Sequence, residues 1–130
     1  MIQRPNAVGL ILCQLAIIEE GTKHVTLVNT FRRLKQTVFP TPALKFIVHA
    51  VLADGLGPIT LSLAINRLDV LEEMEVRVGE INFNDPLVEQ RLLIRLSAVH
   101  FPEPGRYEIS LLANGEEVAQ CVFRLLSGEE

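Results

Sequence analysis

Aliphatic and β-branched runs alternate along the chain with short clusters of Gly, Pro, Asn and Asp. That rhythm is the signature of an all-β sandwich or barrel. The first run is Val8 to Ile18, ended by the turn-sized Glu20-Gly21-Thr22-Lys23. The second extends from His24 to about Leu34, with Val25, Leu27, Asn29 and Phe31 on one parity and Thr26, Val28, Thr30 and Arg32 on the other. Phe39-Pro40-Thr41-Pro42 follows, and two prolines so close cannot sit in a central strand because each lacks a ladder donor. The segment is expected to cross between sheets. The third strand is Leu44 to Ala53, ended by Asp54-Gly55-Leu56-Gly57-Pro58. The fourth is Ile59 to Leu68, half-buried, with Ile59, Leu61, Leu63 and Ile65 facing one way and Thr60, Ser62, Ala64 and Asn66 the other.

Asp69 to Glu73 connects to a fifth strand, Met74 to Phe83. Its apolar parity switches at Gly79, which predicts a β-bulge or bend there. Asn84-Asp85-Pro86 breaks the pattern before a sixth strand, Val88 to Phe101. Pro102-Glu103-Pro104-Gly105 forms a second proline corner. The seventh strand buries Tyr107, Ile109, Leu111 and Ala113, and Asn114-Gly115 predicts a type I′ hairpin into an eighth, Val118 to Leu125. Ser127 to Glu130 is expected to fray. A helical turn over Leu68 to Glu75 is too short to be stable. The expected fold is therefore a single all-β domain over residues 1–130. It is an antiparallel β-sandwich of about eight strands, immunoglobulin-like or a related Greek key, with structural roles at Gly79, Gly105 and Gly115.

Composition narrows the function classes. A chain of 130 residues suits one domain and buries enough surface to fold without a staple. Twelve basic against sixteen acidic residues give a net charge of −4, which argues against nonspecific nucleic-acid binding. With no Trp and one Tyr the chain is poor in stacking platforms for bases or sugars. Ala7 to Ile18, preceded by Arg4, superficially suggests a leader peptide. The residue before Cys13 is Leu12, where a processing enzyme requires a small side chain, and no small-x-small site precedes Glu19-Glu20. Twelve residues also fall short of a helical membrane span. The segment reads as a strand, and a cytoplasmic protein with no membrane partner is expected.

Asn6-Ala7-Val8-Gly9-Leu10-Ile11-Leu12-Cys13, followed by Glu19-Glu20-Gly21-Thr22, resembles a family of short uncharacterised bacterial proteins. So does Phe101-Pro102-Glu103-Pro104-Gly105-Arg106-Tyr107 with Leu111-Leu112-Ala113-Asn114-Gly115. The resemblance brackets nearly the whole chain. It implies a small β-sandwich and brings no assigned activity. The Pro-Gly-x-Tyr corner is also similar to immunoglobulin-like and fibronectin-like sandwiches. There a tyrosine near a strand start bonds its hydroxyl back to nearby backbone, the structural role expected of Tyr107.

No grouping suggests catalysis. His24, His49 and His100 lack metal-ligand spacing, and Ser97 and Ser110 lack a nucleophile elbow. Cys13 and Cys121, in the first and last strands, read as buried thiols, with a disulfide joining the ends of the fold as the lesser reading. Asp54-Gly55-Leu56-Gly57 lacks the Gly-Lys-Ser/Thr of a phosphate loop. Alternating strand directions place Glu19, Glu20, Asp54, Asp85, Glu116 and Glu117 at one end. This is a solvated acidic rim or, with Asp54 and Asp85 as the candidate ligands, a Ca²⁺ site.

The least ordinary feature is the first strand, which is apolar on both faces: Val8, Leu10, Leu12, Ala16 and Ile18 on one, Ile11, Cys13, Leu15 and Ile17 on the other. An antiparallel sandwich strand normally shows one polar face. A non-enzymatic, cofactor-free interaction or structural module is expected, self-associating or binding another protein through Leu10, Ile11, Leu15 and Ile17. The alternative is a ligand-binding sandwich holding Ca²⁺ or a carbohydrate at its acidic loop end.

Overall fold

The structure is a computed structural model that describes residues 2–68 and 72–128. Most of the expected connection at Asp69 to Glu73, the middle of the helical turn weighed over Leu68 to Glu75, and the final Glu129 and Glu130 lie outside them.

Among the described residues nine strands follow in order: β1 Asn6–Ile18, β2 Val25–Thr30, β3 Arg33–Gln36, β4 Leu44–Ala53, β5 Gly57–Arg67, β6 Glu72–Phe83, β7 Gln90–Val99, β8 Gly105–Ala113 and β9 Glu116–Ser127. They form a four-stranded sheet, β2-β1-β4-β7, and a five-stranded sheet, β3-β9-β8-β5-β6. The fold is the expected all-β sandwich. All pairs are antiparallel except β3 and β9, which run parallel.

The ninth strand arises because the expected second strand divides. No Gly or Pro falls between Val25 and Leu34 to mark the division. The β1–β2 ladder keeps its register through Thr30, with Asn29 at a positive φ of 55°, and the chain reverses after Phe31. Asparagine tolerates that region better than most residues. Phe31 N then donates to Leu12 O of the four-stranded sheet, and Arg32 O accepts from Arg124 N of the other. The chain thus changes sheets within two residues. Phe31 fills the gap at that edge, with its ring 5.9 Å from Phe46 of one sheet and 6.5 Å from Phe123 of the other.

The inner faces interdigitate as alternation requires. Val48 and Leu52 of β4 meet Ile59, Leu61 and Leu63 of β5, Ile109 and Leu111 of β8, and Phe123 and Leu125 of β9, all buried. Phe101, Tyr107 and Phe123 pack ring on ring at 4.8–5.7 Å.

The turn chemistry is visible in the backbone. Leu61 pairs with Gly79 and Ser62 with Arg77, so Val78 is the extra residue of a bulge, and Gly79 has φ 144°. Asn114 and Gly115 both have positive φ, 49° and 82°, as a type I′ turn requires. Tyr107 Oη donates to Glu103 O across the corner at Gly105, at 2.6 Å.

Candidate protein-interaction surface

The surface begins with a single glycine. Gly9 has φ 70°, and the pairing of β1 with β4 shifts register between Val8 and Leu10. Ala7 pairs with the buried Leu52, and Leu10 and Leu12 pair with the buried Ala50 and Val48. Gly9 is the additional residue, and it reverses the facing of everything before it. Val8 therefore joins Ile11 on the outer face. Simple alternation had grouped it with Leu10. This corrects the expected set: Leu10 is only 8% exposed and belongs to the core, while Val8 is 65% and Ile11 41% exposed. The signal was present in the sequence, since glycine inside a strand marks a bulge.

Beyond Cys13, β1 leaves the sheet. Its ladder to β4 ends at Cys13 opposite Ile47, whereas its ladder to β2 continues through Leu15–Val28, Ala16–Leu27, Ile17–Thr26 and Ile18–Val25. These residues form a two-stranded arm. Leu15 and Ile17 are 51% and 52% exposed on one face of it, and Ile18 is 51% exposed on the other. An isolated two-stranded ribbon is marginal in water, and this one is apolar on both sides. Its tip is held by local bonds, Glu19 N to His24 O and Lys23 N to Glu19 O.

On the outer face of the four-stranded sheet Val8 and Ile11 are the accessible aliphatic residues of β1, while Cys13, Ile47 and His49 are buried there. Register places Val51 beside Val8, His49 beside Ile11 and Ile47 beside Cys13. Arg91, Leu93 and Arg95 of β7 stand opposite Val51, His49 and Ile47. His49 is buried, with its Nε2 2.5 Å from Arg91 Nη1. Burial, and then the Arg91 charge, hold its imidazole below the ordinary value, so it is neutral at pH 7 and accepts from the guanidinium.

The other candidate chemistry disperses. Cys13 and Cys121 are both free, one outward on β1 and one inward on β9, where Cys121 pairs with the buried Ile109. Burial raises both thiols, Cys121 to about 11, which leaves them protonated and unreactive at neutral pH. The expected acidic end is also corrected. Asp54, Asp85, Glu116 and Glu117 share the end where β4–β5, β6–β7 and β8–β9 turn, but Glu19 and Glu20 stand at the opposite end. The reversal at residues 31–32 shifted the count of strand directions. Asp54 accepts from Asn6 Nδ2 of β1 at 3.2 Å, and Asp85 accepts from Leu87 N at 2.9 Å, as a turn-forming carboxylate does. Glu116 pairs with Arg4, and Glu117 accepts from Ser110 Oγ. Among the described residues no three His, Cys, Asp or Glu side chains gather closely enough to hold a metal. Nor, among them, is any helix long and apolar enough to cross a membrane.

Comparison with known proteins agrees with this architecture. Residues 9–126 match the model of DUF6941, a family of unknown function. No curated protein matches the sequence. Among solved structures, the chain is similar to the alkylpurine DNA glycosylase AlkC of Pseudomonas fluorescens, in its complex with DNA containing an abasic site analogue. The two are 11% identical with a TM-score of 0.63, over 95% of this chain and 30% of the glycosylase. A β-glucosidase from Kluyveromyces marxianus is similar over 70% of this chain and 14% of its own, at 13% identity and a TM-score of 0.48. At such identity the likeness to the glycosylase concerns the fold, and this chain spans under a third of that protein.

Proposed function

This chain belongs to DUF6941, a family of unknown function, and from that premise we propose that it is a non-enzymatic interaction module that self-associates through the β1–β2 arm and the adjoining outer face of the four-stranded sheet. The observation that carries this reading is the arm. Leu15, Ile17 and Ile18 are about half exposed on a ribbon with apolar side chains on both faces and no third strand beside it among the described residues. Solvent alone is a poor neighbour for such a ribbon. Burying these three side chains would stabilise an assembly by a few kcal/mol, at about 1.5–3 kcal/mol for each fully buried aliphatic residue. A second copy is the simplest occupant, because a two-fold contact brings one apolar arm against another. Val8 and Ile11 extend the patch along β1, and Arg91 and Arg95 supply a charged rim.

Amide hydrogen exchange over a protein concentration series tests this. Slower exchange at Leu15 to Ile18 and Val25 to Val28 as concentration rises supports the reading. Arm exchange that is fast and independent of concentration opposes it.

A further inference from the structure

The opposite side of the sandwich carries a different feature. Arg33 of β3, Arg124 of β9 and Arg106 of β8 are register partners on three adjacent strands. Arg124 lies between the buried Phe123 and Leu125, and Arg106 precedes the buried Tyr107, so both stand on the outer face. All three arginines are exposed. Lys35, two residues along β3 from Arg33, adds a fourth exposed cation on the same face. Glu108 is the next outward residue on β8, and its carboxylate accepts from Ser110 Oγ at 3.3 Å. Among the described residues the ion pairs are Arg4–Glu116 and Arg67–Glu103, and neither engages these four cations.

Like charges placed directly opposite on a sheet repel one another. The row therefore works against the fold that presents it, on a chain whose net charge is −4. Beside it lies a shallow cleft of about 320 Å³, lined by Pro104, Gly105, Arg106, Arg124 and Ser127 among others. That volume is at the lower limit of small-molecule sites.

We propose that this arginine row binds the oligophosphate group of a small ligand. Guanidinium groups are planar forks that hold phosphate oxygens bidentately, a geometry that lysine does not supply. Three of them across two strand spacings span roughly 10 Å, which suits linked phosphates better than a lone one. The cleft contains no aromatic ring, so it engages the anionic part of the ligand and leaves the rest outside. A single-stranded nucleic acid would require stacking platforms, and among the described residues no aromatic ring lines this cleft.

Isothermal titration of the full chain with inorganic tripolyphosphate at low salt tests the proposal. Saturable binding is expected, stronger than for orthophosphate and weakened at least tenfold by Arg124→Gln and by Arg106→Gln. Lys45→Gln, on the other sheet, should leave it unchanged. Because the arginines are exposed, both variants should keep the wild-type far-UV circular dichroism. No saturable binding, or equal binding by Arg124→Gln, overturns the proposal. So does tighter binding of a single-stranded oligonucleotide or a polyglutamate peptide than of tripolyphosphate.

Discussion

Leu15 of β1 faces Val28 of β2 at a point where β1 has already parted from β4. From there to the turn, among the described residues, the two strands have only each other for ladder bonds. There Leu15, Ile17 and Ile18 are each about half exposed on the ribbon.

Tyr107 ties the corner between β7 and β8 to the core. Its ring stacks on Phe123 at 5.7 Å while its hydroxyl donates to Glu103 O at 2.6 Å. Tyr107→Phe keeps the ring and deletes the donor. Urea denaturation should show a loss of about 1–2 kcal/mol, the cost of a carbonyl deprived of its partner. An unchanged midpoint would mean the corner holds without this bond.

Phe31 is the side chain that closes the edge where the chain passes from one sheet to the other. Phe31→Ala removes contacts to Phe46 and Phe123 together. The expected cost is about 2–4 kcal/mol, somewhat under that of a fully buried phenylalanine. Denaturation should report it, together with faster exchange at β3. A loss below about 0.5 kcal/mol would show that the edge is held by backbone bonds alone.

His49 makes stability depend on acidity. Its folded value is depressed below the ordinary 6.5, so as pH falls through 6.5 the unfolded chain takes up a proton that the folded protein refuses. Stability should be level between about pH 7 and pH 9 and decline below 6.5. His49→Gln should flatten that part of the melting-temperature profile. Equal slopes in the two proteins would remove His49 as the cause.

Cys121 acts at the other extreme. Burial raises its thiol from 9.0 to about 11. Between those values the unfolded chain gives up a proton that the folded protein retains, so stability should fall as pH rises from 9 to 11. Cys121→Ala should reduce the slope across that window, read from melting temperature against pH.

Much of this fold was legible because its strands obey simple rules. β4 occupies Leu44–Ala53, the expected run, because a glycine-rich turn bounds one end and a proline segment precedes the other. The bulge at Gly79 was readable from a change in apolar parity. Gly9 produces the same kind of shift, yet Val8 and Leu10 are both aliphatic, so no polarity change marked it. The division between β2 and β3 was hidden for a related reason. No Gly or Pro falls between Val25 and Leu34, and Phe31 is as apolar as a core strand position. The arm was half legible. Two apolar faces on the first strand signalled a missing neighbour, but only the register shows that the strand leaves its sheet after Cys13. The arginine row was invisible, since residues 33, 106 and 124 meet only through strand pairing.

Self-association through the arm is best decided by light scattering across a micromolar concentration series. Wild-type protein should scatter as twice the 14.5 kDa chain mass. The Leu15→Glu/Ile17→Glu variant should scatter as a single chain with unchanged far-UV circular dichroism. Wild-type protein that stays at the single-chain mass throughout the series would contradict it.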